Sequence, residues 1–434
     1  VGKVFFPLDK ELGLLSGDLT PHAQEGLVRL ATWMPYAKAA QVLESQTGVQ
    51  VSKASARRTT LQTGRVLDQE WEQQAVQVQQ VPTRIPVETS QQVLSADGAM
   101  VPLVGGIWAE VKTLALGTVE PVKEGEETVH VRELSYCSRL SDVPGFEQAT
   151  LVEVHRRGLE QAKQGAAVTD GADWLQGVID SHRADAVRIL DFPHAAEYVS
   201  AIGEAVRAAG FSLLKTWLNG VLHRLKHEGP ERVLLHLAQL SQRCPSPESK
   251  RSWQYLLRRH DQIQYQPFQA AGWPIGSGMV ESANTLVVEA RLKGAGMHWK
   301  RENVNAMLVL RNAVCNDRWD ETWATAQRES QQQLAHVRAQ HAQKRRDRAA
   351  TFLLQEAVRW QLMRLMPKPS PSAPVASPST LPTPPAPKGR TEAQSRWGRQ
   401  PMTPKGMQIH AQFAKTDSVG EWYFGYNMAR FAEK

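Results

Sequence analysis

The chain has 434 residues, with 51 Lys and Arg against 44 Asp and Glu and a formal net charge of +7. That length supports two or three domains around a large buried core. A content of 41% hydrophobic and 22% charged residues excludes a disordered or fibrous chain. No apolar run reaches the roughly 18 residues of a membrane helix, and Cys137, Cys244 and Cys315 are too dispersed for a local zinc site. The expectation is a cytoplasmic protein with no membrane partner, its basic excess favouring a polyanion.

Thr20-Pro21 reads as a helix start, with Leu27, Leu30, Ala31 and Met34 at helical spacing. A second helix from Tyr36, a turn at Gly48 and a helix capped by Ser52 give a helix-turn-helix pattern over about 36–64. Its second helix carries Lys53, Arg57 and Arg58, expected DNA contacts, although a helical hairpin with a solvated basic face has the same pattern. Residues 66–85 read as a Gln-rich helix and connector. This N-terminal helical region is assigned to 1–85.

Strands are expected at 93–98, ending in Asp97-Gly98, and then at 108–117 and 129–137. A helix follows over about 145–163, then a strand ending at Asp170-Gly171, a short helix over about 174–182, and a strand ending at Asp191. The order βββαβαβ predicts an α/β fold with a mixed sheet. The core's first part is set at 90–195, an all-α insertion at 196–272, and its last part at 273–318. Trp217 and Trp253 in the insertion are read as helix packing or as platforms for a flipped base. A long basic helix (319–366), a Pro-rich linker (367–388) and a C-terminal tail (389–434) complete the chain.

Hard divalent cations need oxygen ligands, and carboxylates from separate elements make an open site. Asp97 and Asp170 end strands that this topology allows to be neighbours. Glu281 lies early in a helix introduced by Gly276-Ser277-Gly278. Two Mg²⁺ (or Mn²⁺) ions about 3.5–4 Å apart would there activate water or a 3′-hydroxyl for phosphoryl transfer. Each signal is weak singly, because Asp-Gly is first a turn and Gly-Ser-Gly first a flexible cap. Arg291, Lys293, Trp299 and Lys300 follow Glu281 and could hold phosphate or stack on a base; a surface loop around a core tryptophan fits equally.

The stretches Ser95-Ala96-Asp97-Gly98-Ala99, Thr169-Asp170-Gly171-Ala172-Asp173-Trp174 and Ile189-Leu190-Asp191-Phe192-Pro193-His194-Ala195 resemble the insertion-sequence transposases of the ISKra group. So do Gly272-Trp273-Pro274-Ile275-Gly276-Ser277-Gly278-Met279-Val280-Glu281-Ser282-Ala283-Asn284 and Arg291-Leu292-Lys293-Gly294-Ala295-Gly296-Met297-His298-Trp299. The resemblance covers roughly residues 5–320. It implies an RNase H-like core, a catalytic metal-binding triad of Asp97, Asp170 and Glu281, and a helical insertion before the Glu. Asp191 remains the rival for the second acid. It opens Asp191-x-x-His194, similar to the Asp/Cys-x-x-His signature of Mutator-like relatives, where His194 would orient Asp191, touch a phosphate or act structurally.

The resemblance also implies Mg²⁺-dependent cutting of double-stranded DNA at element ends and 3′-hydroxyl strand transfer into target DNA, by a homo-oligomer holding two ends. The alternatives are an RNase H-like nuclease or resolvase that does not join, and an inactive DNA-binding remnant.

Overall fold

A computed structural model describes residues 19–80, 91–120 and 129–365. The expected linker and C-terminal tail lie outside the described residues. The chain divides into two compact units, Val1–Leu354 and Gln355–Lys434. In the second unit the described residues are the helical stretch 355–365.

Three helices lead. In α1 (Pro21–Trp33) Thr20 accepts from the Ala23 amide at 3.3 Å and Pro21 takes the first turn, where its missing N–H costs nothing. α2 (Tyr36–Thr47) stops at Gly48, which holds a left-handed φ of 73°. Ser52 then accepts from the Ser55 amide at 3.0 Å, and α3 (Lys53–Gln80) continues for 28 residues. The expected recognition helix and the Gln-rich segment are therefore one element. Packing extends it: Leu61 and Leu67 are buried, and Gly64 lies so close to Ala306 that a Cβ would sit 1.9 Å from the Ala306 carbonyl oxygen. Asp68 and Glu72, farther along α3, pair with the buried Arg139.

Five strands form one mixed sheet: β1 (Gln91–Pro102), β2 (Trp108–Val119), β3 (Val131–Arg139), β4 (Gln164–Thr169) and β5 (Val187–Leu190). The spatial order is β3-β2-β1-β4-β5. β2 runs antiparallel to both β1 and β3, and β4 and β5 run parallel to β1. α4 (Val143–Arg157) and α5 (Asp173–Arg183) connect β3 to β4 and β4 to β5.

One expectation fails here. β1 does not turn at Asp97-Gly98; it runs on to Pro102, with Asp97 opposite Thr113, and the hairpin turns after Leu103. Gly98 serves as a bare position in a strand, because a Cβ there would lie 2.3 Å from the Glu110 carboxylate.

Alternation along the strands sends Leu94, Ala96, Leu114 and Leu116 to one face, where Phe146 and Val154 of α4 and Leu175 and Ile179 of α5 cover them. Two clusters share the other face. Val93, Ala166 and Val168 pack beneath the helical insertion: α6 (Phe192–Ala208), α7 (Trp217–His227), α8 (Pro230–Arg243), α9 (Pro247–Arg258) and α10 (Tyr265–Ala270). Ala99 and Val101 pack beneath α11 (Gly278–Ala283) and α12 (Val304–Cys315). Trp217 and Trp253 are partly buried in the insertion, their indole N–H groups donating to His236 Nε2 at 3.0 Å and the Leu234 carbonyl at 3.3 Å. α13 (Trp319–Leu365) follows. Among the described residues, no helix is long and apolar enough to cross a membrane.

Candidate active site

The parallel ladder between β1 and β4 pairs Leu94 with Ala167. Asp97 and Asp170 each lie three residues beyond that pair on the two chain segments, near enough for the Asp170 charge to act on the Asp97 carboxyl. Ser95 Oγ, donating to the Val168 carbonyl at 2.6 Å, holds the strands together beyond the ladder. Asp97 shares the strand face of Val93 and Ala99, so it falls at the seam between the two clusters. Burial pushes its carboxyl above the usual aspartate range. The charges of Asp170 and Glu110 add to that push, while hydrogen bonds from the Gly98 backbone and the Asn284 side chain offset part of it.

Asp170 lies just past the end of β4. Its Oδ1 accepts from the Ala172 amide at 2.9 Å, closing a turn through Gly171, whose φ is 77°. The insertion grips this turn. Tyr255 Oη donates to the Asp170 carbonyl at 2.5 Å, and Arg259 donates to the Gly171 carbonyl while lying 3.7 Å over the Tyr255 ring. Tyr198 stacks on Tyr255 at 3.9 Å. A Cβ at position 171 would meet Tyr255 Oη at 2.6 Å and Arg259 Nε at 2.7 Å, so only glycine fits.

Asp191 is engaged differently. It is 5% exposed and caps α6, with Oδ2 accepting from the His194 amide at 3.1 Å and Oδ1 from the Ser277 amide at 2.6 Å. The Phe192 amide donates to the Ile275 carbonyl at 2.9 Å beside it. Asp191 thus fastens the Gly276-Ser277-Gly278 approach of α11 to the start of α6. The His194 ring does not orient Asp191; its Nδ1 is 3.4 Å from Glu197 Oε2, and only its backbone meets the carboxylate.

α11 lies across β1 and β2 with Val280 and Ala283 buried and Glu281 exposed. One turn on, Asn284 Nδ2 donates to Asp97 Oδ2 at 2.9 Å. Glu281 lies one turn before Asn284, about 5–6 Å from it at Cβ, and is not among the charges that shift the Asp97 carboxyl. Asn284 is 6% exposed, and its Oδ1 is buried without a partner. Asn284 also opens a π-helical turn, Asn284–Glu289, of a kind that recurs at functional sites. The turn is braced from α12: Arg311, wholly buried, donates to the carbonyls of Leu286, Val287 (3.2 Å) and Thr32 (3.1 Å). Arg291, 3% exposed, donates to the Ala31 carbonyl at 2.9 Å. Both arginines therefore hold the last turn of α1, where helix carbonyls lack partners and cations are favoured.

The expected DNA-contact residues divide. Lys53, Arg57, Arg58 and Lys300 are exposed, and Lys293 is paired with Glu289. Arg291 and Trp299 are buried, and the Trp299 indole donates to the Leu292 carbonyl at 3.2 Å, so neither is a free surface group. Yet Lys53, Arg57, Arg291, Trp299 and Lys300, far apart in sequence, line one cavity.

Among the described residues, no three His, Cys, Asp or Glu side chains are gathered closely enough to hold a metal ion. The donor set still fits a hard cation in kind: two aspartates within electrostatic reach of each other, the buried amide oxygen of Asn284, which has no hydrogen-bond partner, and Glu281 one turn before it. Sequence reasoning missed Asn284, Tyr255, Arg259 and Arg311. Asn284 had a usable signal in its helical spacing from Glu281, whereas the other three act through contacts made far along the chain. No protein-family model matches the sequence, and no curated protein is significantly similar to it.

Proposed function

We propose that the chain is a DNA-cutting and strand-joining enzyme of the insertion-sequence transposase type, built on an RNase H-like core. The observation that carries this reading is Asp97 on β1 within electrostatic reach of Asp170, just past the end of the parallel neighbour β4, beneath a helix bearing Glu281 and Asn284. The sheet order β3-β2-β1-β4-β5, with the last two strands parallel to β1, is the arrangement expected of an RNase H-like sheet and supports the same reading.

Asp97, Asp170 and Glu281 would hold Mg²⁺ or Mn²⁺, which supplies activation of an attacking oxygen and stabilisation of the leaving one in phosphoryl transfer. Asn284 fixes the rotamer of Asp97 and keeps its amide oxygen at the site. Tyr255 and Arg259 fix the Asp170 turn by its carbonyls, leaving that carboxylate aligned with its neighbour. Lys53, Arg57, Arg58 and Lys300 supply positive charge for a phosphate backbone. Two DNA ends must be held together for joining, which calls for an oligomer.

The test uses full-length protein, duplexes carrying the sequence that flanks the gene, a supercoiled plasmid as target, and Mg²⁺ or Mn²⁺. Wild-type protein should nick the flanking duplex and join a pre-cut 3′-hydroxyl end to the plasmid. Asp97→Asn, Asp170→Asn and Glu281→Gln should each lower both steps by at least a hundredfold with DNA binding retained. Cutting without joined product would make the protein a nuclease. DNA binding without either step in wild-type protein would make it an inactive binder.

A further inference from the structure

The five basic and aromatic residues that converge from two parts of the chain line a cavity of about 570 Å³, shared between the starts of α2 and α3 and the loop after residue 292. Its volume lies within the range of about 300–1,000 Å³ of sites that enclose one small molecule, and it is too small for a duplex. Its chemistry is divided. Lys53, Arg57 and Lys300 are exposed. Met297 and Tyr36 offer partly buried apolar and aromatic surface. In the wall, burial pushes the Tyr36 phenol above its usual range, and the adjacent Arg291 guanidinium offsets part of that through its charge and a side-chain hydrogen bond. Arg291 lies between the Tyr36 and Trp299 rings, 5.0 and 5.2 Å from their centroids, so the wall is built.

We infer that this cavity takes a single nucleotide extruded from the DNA, its base against Tyr36 and Met297 and its flanking phosphates at Lys53, Arg57 and Lys300. A cationic rim around an aromatic recess suits one phosphate-bearing base; a phosphate alone would leave the recess empty. The inference rests on the proposed DNA-cutting function and adds a place. The cavity adjoins the far end of β1: the Val104 amide donates to the Trp299 carbonyl at 2.9 Å, and the Trp299 amide to the Pro102 carbonyl at 3.0 Å. Leu103 is six residues beyond Asp97 on this chain segment, about 20 Å at the strand rise.

The experiment compares binding of full-length protein, at one fixed salt concentration, to a paired duplex and to the same duplex with one unpaired nucleotide. Wild-type protein should favour the bulged duplex by about tenfold. Met297→Trp, and independently Ala295→Trp on the exposed loop, should fill the cavity and abolish that preference while binding the paired duplex as before. Near-UV circular dichroism identifies whichever variant keeps the native fold. No preference in wild-type protein, or a preference that survives in both filled variants, overturns the inference and leaves the cutting function standing. Failure to bind any DNA defeats the proposed function itself. A free deoxynucleoside monophosphate that saturates the cavity without competing with bulged DNA also overturns the inference, assigning the site to a free nucleotide.

Discussion

Asp191 and Asp170 both end strands of the same sheet, and their replacements should have opposite signatures. Asp191→Ala removes the cap of α6, worth about 1 kcal/mol, and strips the Ser277 amide of its acceptor, worth about 1–3 kcal/mol for a buried donor. The sum is about 2–4 kcal/mol. With a urea slope of about 3 kcal/mol per molar, the unfolding midpoint should fall by about 1 M. Asp191→Asn keeps one acceptor oxygen and should lose roughly half as much. Asp170→Asn keeps the acceptor for the Ala172 amide, so its midpoint should stay within about 0.3 M of wild type while cutting is lost. Urea titration followed by tryptophan fluorescence, with cleavage assayed in parallel, separates the two. An Asp191→Ala protein that unfolds with wild-type stability and yet cannot cut would refute the fastening role and transfer the second acid to Asp191.

Two further outcomes are expected. Because the Asp97 carboxyl titrates above its unfolded value, its contribution to stability is complete below about pH 4 and disappears as pH rises through the raised folded value. The melting temperature should fall over that interval in EDTA and recover with Mg²⁺ at neutral pH. Asp97→Asn should flatten both responses; unchanged responses in that variant would assign the titration elsewhere. Arg311→Met keeps much of the volume but leaves the carbonyls of Thr32, Leu286 and Val287 bare, and should cost about 3 kcal/mol or more, measured by urea unfolding. Wild-type stability in this variant would show that the π turn needs no brace.

The strands were legible because apolar and β-branched residues alternate along them, and their order placed three leading strands before the crossovers. The dipeptide Asp-Gly was not reliable by itself. At Asp170-Gly171 it makes the expected turn, with a left-handed glycine. At Asp97-Gly98 it stays in the strand, because a carboxylate from residue 110 occupies the space a side chain would need. Nothing local distinguishes the two cases. α3 was divided in two because its polar composition hides a face that packs on Ala306. Charge and proximity group Arg291 with the surface cations, whereas its bond to the Ala31 carbonyl places it inside; Trp299, donating to Leu292, is the core tryptophan of the alternative reading. The Arg311 brace was invisible because it depends on a change of helical winding that periodicity does not report.

That change of winding has a consequence for insertions and deletions. An ordinary helix advances about 100° per residue. The widened stretch Asn284–Glu289 therefore sets the angular phase between Glu281 and Asn284 upstream and Arg291 downstream. Shortening it by one residue would leave every apolar side chain present and every acid intact, yet would swing one end by more than a quarter turn. The length of this stretch, as much as its composition, is what keeps the acid-bearing end and the α1-clasping end of one rod aimed at different targets.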